Sequence, residues 1–112
     1  MKLTAILAEL IREDRVRLIG PIRQELLSGI REPSQFTRIK DYLRAFADEA
    51  LKTEDFERAA QFNDQCRLRG ISGSNTDFLI CAVAQARSWQ IYTNDRDFAL
   101  YAKVLPVQIF GR

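Results

Sequence analysis

Three acidic residues of this sequence are candidate catalytic or metal-binding residues. Glu25 lies in a predicted helix that follows a short β-type run, Asp77 lies at the start of a strongly apolar helix, and Asp95 follows a predicted strand. The chain contains no histidine, which excludes Ser-His-Asp and Cys-His catalysis as well as histidine-based zinc hydrolysis. If the chain is an enzyme, carboxylates must therefore do the work.

Converging carboxylates suit a divalent metal site, because Mg²⁺ and Mn²⁺ are hard cations that take oxygen ligands. Such a cation lowers the pKa of bound water and neutralises charge on a phosphodiester. Each acid also has a purely structural explanation: Glu25 as an exposed helix residue, Asp77 in a capping box begun by Ser74, and Asp95 in a turn. Taken one at a time, the residues leave both interpretations open.

The elements that must position these acids alternate between strands and helices. Gly20-Pro21 closes the first strand and opens a helix, and Ser34 is the predicted cap of the next helix. Short strands alternating with helices indicate a parallel sheet of the α/β class, in which ligands bind beyond the carboxyl ends of the strands. We predict helices over residues 3–11, 22–30, 35–46, 53–70 and 76–88, a turn and short helix over 94–103, and strands at 16–19, 49–52, 90–93 and 107–110.

Length and composition narrow the class of protein. With 112 residues, 46% hydrophobic and 29% charged, the chain is expected to fold as one ordinary globular domain. A net charge of +2 is too small to imply nucleic-acid binding by itself. The longest apolar run, Phe78 to Ala84, is too short for a membrane span, and Glu9 and Glu13 interrupt the region where a signal peptide would be apolar. We therefore expect a cytoplasmic location and no membrane partner.

The two cysteines, Cys66 and Cys81, have neither the spacing of a CxxC motif nor a histidine beside them. Zinc binding and a disulfide framework are therefore both disfavoured. We expect a buried and reduced role for these side chains.

The stretches 70–82 and 91–98 together resemble the C-terminal half of PIN-domain proteins, especially the VapC-like toxins of bacterial toxin–antitoxin modules. Upstream, residues 19–29 resemble the segment that carries the second acid of that family. The resemblance implies a PIN-like three-layer α/β domain over residues 1–112, with a short parallel sheet flanked by helices. It also implies Mg²⁺- or Mn²⁺-dependent endoribonuclease activity on RNA, a homodimer, and inhibition by a small antitoxin protein.

Carried over position by position, the resemblance makes Glu25 the second metal-binding acid, Asp77 the third and Asp95 the fourth, with Asp97 as an auxiliary ligand. Thr93 matches a family position whose hydroxyl orients a carboxylate or water, although a strand threonine needs no such role.

Two arginines complete the predicted site. Arg23 and Arg96 each lie within two positions of an assigned acid, so we expect them to hold RNA phosphate. Otherwise they are surface residues or structural partners of the acids.

The chain departs from the family pattern at its beginning. Family members open with a hydrophobic strand that carries the first acid, and nothing like it precedes Leu3. We therefore expect an N-terminally truncated domain, with the first strand and the first acid missing and its activity impaired. A catalytically inactive PIN-like binding or dimerisation module is the main alternative. An α/β scaffold whose acids merely cap helices is another.

Overall fold

The computed structural model describes residues 12–111. The chain divides into two compact units, the first ending at Ala50 and the second beginning at Leu51. The helix predicted over residues 3–11 and the expected absence of a first strand both lie outside the described residues. The assignment of residues 1–112 to one domain stays a prediction. Within the part of the chain that the structure describes, no helix has the length and apolar character needed to cross a membrane.

In the described part of the first unit, residues 12–50, the helices are α1 at Gly20–Ser28 and α2 at Pro33–Leu43. Helix α1 begins at the predicted Gly-Pro junction. The predicted cap of α2, Ser34, was wrong: the carboxylate of Glu32 accepts hydrogen bonds from the backbone N–H groups of Ser34, at 3.1 Å, and Gln35, at 2.9 Å. Because Pro33 fits the first helical position, the residue before it becomes the cap.

Among residues 12–50, the described residues of the first unit, strand pairing consists of one parallel bridge between Leu18 and Asp48. Leu18 lies inside the predicted strand 16–19. Its extended conformation was therefore predicted correctly, but the predicted strand was too long. The strand predicted at 49–52 was wrong, since the pairing residue is Asp48 and Lys52 already precedes the next helix.

The second unit contains three helices and a short parallel sheet. In the sheet, Gln90 pairs with Gln108 and Ile91 with Ile109, both isoleucines being buried and both glutamines exposed. A parallel pair requires a crossover connection, and the last helix lies within it. The elements are α3 at Thr53–Leu68, α4 at Asn75–Arg87, β1 at Gln90–Ile91, α5 at Asp97–Ala102 and β2 at Gln108–Ile109. The predicted α/β class with a short parallel sheet is confirmed, and the described residues are mostly helical.

Helix α4 is the centre of the second unit's core. Its sequence is apolar on nearly every side, and Phe78, Leu79 and the run from Cys81 to Ala84 are buried. Helix α3 packs along it and buries Ala59, Phe62 and Cys66. Both cysteines are free and buried, as predicted. This packing fixes the position of the N-terminal turn of α4, which carries Asp77.

A buried ion pair ties the start of α3 to the end of α4. The guanidinium of Arg87 binds both carboxylate oxygens of Asp55, at 3.1 and 3.0 Å, and Asp55 is only 3% exposed. The same carboxylate accepts a hydrogen bond from the backbone N–H of Lys52 at 2.9 Å. The hydrogen bond from Arg87 holds the pKa of Asp55 below its ordinary value, against the opposing effect of burial.

Replacing Asp55→Ala should lower the free energy of unfolding by about 3 kcal/mol, because it leaves the Arg87 guanidinium without its carboxylate and the backbone N–H of Lys52 without its acceptor. Urea denaturation measures the change. The matched control is Asp64→Ala on the same helix, whose pair with Arg67 has side chains 63% and 68% exposed. Loss of that exposed pair should cost about 0.5 kcal/mol or less.

The cost of Asp55→Ala should also depend on pH. Because the folded-state pKa of Asp55 is lowered, its contribution is complete above the unfolded-state value of about 3.9 and disappears as the pH falls through the folded-state pKa. A difference between the two proteins that stayed constant down to the acid transition would contradict this electrostatic explanation.

Candidate metal centre

Three carboxylates of the second unit converge at the N-terminal ends of α4 and α5. One oxygen from each of Asp77, Asp95 and Asp97 lies within 4.8 Å of the other two. Asp77 is half-buried and the other two are exposed. Oxygen ligands at this spacing match the donor set of a hard divalent cation, so the residues present fit such an ion.

Asp77 is placed by the first turn of α4. The hydroxyl of Ser74 caps this helix by accepting a hydrogen bond from the backbone N–H of Asp77 at 3.1 Å. The carboxylate of Asp77 accepts the hydroxyl proton of Tyr101, with 2.7 Å between the oxygens. Capping and cluster formation are therefore compatible, because the backbone serves the cap and the side chain serves the cluster.

Asp95 and Asp97 are placed by a tight turn after β1. The hydroxyl of Thr93 accepts a hydrogen bond from the backbone N–H of Asp95, and Oδ1 of Asp95 accepts one from the backbone N–H of Asp97, each at 2.9 Å. The turn interpretation of Asp95 therefore describes its backbone correctly. In this arrangement the hydroxyl of Thr93 orients the acid through its main chain.

Tyr101 is a residue of this cluster that sequence reasoning missed. Its side chain is fully buried, and its ring packs against Phe78 and Phe98 with centroid distances of 5.1 Å each. Burial, reinforced by the hydrogen bond to Asp77, raises the pKa of Tyr101 above its ordinary value, so the phenol stays protonated and donates. The available signal was its spacing, since Tyr101 follows Asp97 by one helical turn.

Gly73 gives the Tyr101 hydroxyl the space it occupies. A Cβ at this position would overlap that hydroxyl oxygen and would lie 3.0 Å from the ring of Phe78. The backbone before α4 therefore has to approach the tyrosine without a side chain.

The buried cysteines do not contribute ligands to the cluster. Burial, with a further effect of the Asp77 charge, raises the pKa of Cys81 to about 12, and burial also raises the pKa of Cys66. Since the thiolate is the form that binds metals and attacks substrates, burial disfavours both roles for these two cysteines.

The remaining predicted residues are differently placed. Glu25 is exposed on α1 in the first unit, and its membership of the metal site stays a prediction. Arg96 is exposed between Asp95 and Asp97. Arg23 donates from Nε to Asp48 at 2.9 Å, from Nη1 to the carbonyl of Leu43 at 3.0 Å, and from Nη2 to the carbonyl of Phe46. This geometry favours the structural alternative for Arg23.

The profile of the PIN domain family matches residues 2–104, which is nearly the whole chain. The chain belongs to the PIN domain family. No curated protein matches it. PIN domains are generally nuclease-like and generally use divalent metals, and the acidic cluster of this PIN domain has the donor set for such an ion.

Replacing Gly73→Ala should lower the free energy of unfolding by about 1–3 kcal/mol, because the new methyl group must displace Tyr101 or Phe78. The matched control is Gly29→Ala, since a Cβ there meets no heavy atom within 4 Å and φ is −81°. That change should stay within about 0.5 kcal/mol of the parent protein in thermal or urea unfolding. Equal effects of the two substitutions would mean that the contact at Gly73 relaxes without cost.

Proposed function

We propose that this PIN domain is a metal-dependent endoribonuclease that cleaves RNA phosphodiester bonds at the Asp77–Asp95–Asp97 cluster. The observation that carries the proposal is the convergence of these three carboxylates in a member of a nuclease-like family. The resemblance assigns Glu25 to the same metal site, as a further ligand.

The roles of the acids follow from their surroundings. Asp77 and Asp95 are the principal ligands, because each is held by hydrogen bonds that fix its orientation before any ion binds. Asp97 contributes a third oxygen from the start of α5. A bound Mg²⁺ or Mn²⁺ would lower the pKa of a water and offset negative charge on the phosphodiester.

Arg96 is the better placed of the two arginines to hold RNA. Its side chain is exposed beside two acids of the cluster, whereas every guanidinium nitrogen of Arg23 already donates within the first unit. A phosphate contact from Arg96 would bring the anionic backbone close to the acids and reduce its repulsion by them. Thr93 contributes indirectly, because it holds the backbone of Asp95.

The biological setting is also a proposal. The stretches 70–82 and 91–98, whose acids form the cluster, are those that resemble VapC-like toxins. We extend the proposal to a toxin of a toxin–antitoxin module, acting in the cytoplasm as a homodimer and inhibited by a small antitoxin protein.

Asp77→Asn and Asp95→Asn should each reduce metal-dependent RNA cleavage by at least about 100-fold, since removing a direct ligand exceeds the 10–100-fold cost typical of its supporting partners. Cleavage of a fluorescent RNA with and without Mg²⁺ or Mn²⁺ measures the effect. Asp64→Asn, an exposed acid on α3, should leave cleavage unchanged. Glu25→Gln tests the ligand assigned by resemblance. Cleavage that persisted in Asp77→Asn, or in the presence of a chelator, would overturn the proposal.

Replacing Arg96→Ala should weaken RNA binding at low salt and reduce the slope of log affinity against log salt by about 0.7, as expected for one lost phosphate contact on a single strand. Arg23→Ala should leave that slope unchanged and instead lower the unfolding temperature, because three hydrogen-bonding partners are lost. Fluorescence anisotropy over a range of salt concentrations separates the two. If Arg96→Ala left the slope of log affinity against log salt unchanged, Arg96 would be an ordinary surface residue.

A further inference from the structure

The hydrogen bond from Tyr101 makes the two oxygens of the Asp77 carboxylate unequal. The hydroxyl donates to Oδ2 at 2.7 Å and leaves Oδ1 without this bond. An oxygen of the same carboxylate lies within 4.8 Å of an oxygen of Asp95 and of an oxygen of Asp97. A carboxylate whose one oxygen is engaged in this way is better prepared to bind a cation through one oxygen than through two.

The donor in this hydrogen bond is held rigidly. The ring of Tyr101 is fully buried between Phe78 and Phe98, and Gly73 lies directly against its hydroxyl. The tyrosine also lies on the helix that begins with Asp97, so one short element carries both a cluster acid and the group that orients Asp77. The position of Asp77 on α4 is therefore linked to that of the acids around α5.

We propose that Tyr101 is a positioning residue for the cation, which holds Asp77 in one-oxygen coordination and thereby favours Mg²⁺ over Ca²⁺. This inference rests on the proposed function, since it takes Asp77 to be a metal ligand. Mg²⁺ requires near-octahedral oxygen ligands at about 2.0–2.1 Å, whereas Ca²⁺ accepts about six to eight oxygens and often takes both oxygens of a carboxylate. Restricting Asp77 to one oxygen therefore penalises the larger ion more.

A purely structural role predicts a different result. If Asp77 only satisfied the buried hydroxyl of Tyr101, removing that hydroxyl would change stability and leave the preference between cations unaltered. The ratio of the two metal affinities thus separates positioning from packing, because a general loss of stability acts equally on both ions.

The test is Tyr101→Phe, which removes the hydroxyl and keeps the ring. The full chain is titrated separately with MgCl₂ and CaCl₂, and affinities are obtained from the metal-dependent rise of the unfolding temperature above that of the same variant without metal. We expect Tyr101→Phe to bind Mg²⁺ about 10-fold more weakly, with less than about 3-fold change for Ca²⁺. The control Tyr42→Phe, at a tyrosine 55% exposed in the first unit, should match the parent protein.

A second variant displaces the Tyr101 hydroxyl without removing it. Gly73→Ala keeps Tyr101 but places a methyl group where its hydroxyl lies, and it should also narrow the preference for Mg²⁺. Circular dichroism establishes folding, and Gly73→Ala decides the question if Tyr101→Phe does not fold. A folded variant with an unchanged Mg²⁺ to Ca²⁺ ratio would overturn the inference.

Asp77→Asn distinguishes failure of this inference from failure of the proposed function. If Asp77→Asn loses Mg²⁺ binding while Tyr101→Phe keeps the parent ratio, only the positioning role is wrong. If the parent protein binds neither cation, or Asp77→Asn binds Mg²⁺ as well as the parent does, the metal site itself is wrong and the positioning role with it.

Discussion

The hydrogen bond between Tyr101 and Asp77 is the point at which the core of the second unit and its acidic cluster constrain each other. A fully buried phenol needs an acceptor, since an unpaired buried hydroxyl costs about 1–3 kcal/mol. The acceptor is the carboxylate of Asp77 at the start of α4, so a residue of the acidic cluster satisfies the hydrogen-bonding requirement of a buried core hydroxyl. The close approach of Gly73 follows from the same contact, because a side chain at that position would occupy the space of the hydroxyl. Core packing and metal-site geometry therefore cannot change independently.

Gathering three carboxylates opposes folding, because like charges at this separation repel each other. Local hydrogen bonds offset part of that repulsion: Tyr101 donates to Asp77, and the backbone N–H of Asp97 donates to Asp95. Asp77 also lies in the first turn of α4, where the helix dipole favours a negative charge. These devices stabilise Asp77 and Asp95 more directly than Asp97. A divalent cation would offset the remaining repulsion, which is the energetic reason that the arrangement suits a metal site.

The sequence predicted the helices of the second unit closely, and α4 shows why, because its long apolar run and its cap at Ser74 indicate the same boundaries. Helix α4 was expected over residues 76–88 and occupies Asn75–Arg87. The strands predicted at 90–93 and 107–110 were placed correctly but were too long, and the strand predicted at 49–52 was wrong. β-Propensity indicates an extended conformation, whereas the neighbouring strand decides how many residues pair. Two preferences conflict at the start of α2: serine favours the N-cap position, and proline favours the first helical position. Pro33 occupies the first helical position and thereby decides where the helix begins. Tyr101 was missed because an aromatic residue in an apolar helix is read as core, and its polar contact lies 24 residues away in the chain.

The acids that converge, Asp77, Asp95 and Asp97, also lie in turns and at helix starts, and the two properties have a common cause. A carboxylate that binds a metal must be held in one orientation before the ion binds. Backbone N–H groups at turns and helix starts can hold it by donating hydrogen bonds, without further side chains. Thr93 illustrates this, because its hydroxyl holds the main chain of Asp95, and Oδ1 of Asp95 in turn accepts a hydrogen bond from the backbone N–H of Asp97 at the start of α5. Structural and functional interpretations of such residues are therefore not exclusive. What distinguishes a site from a set of caps is that carboxylates from different elements meet at one point, and that property depends on packing between helices distant in sequence.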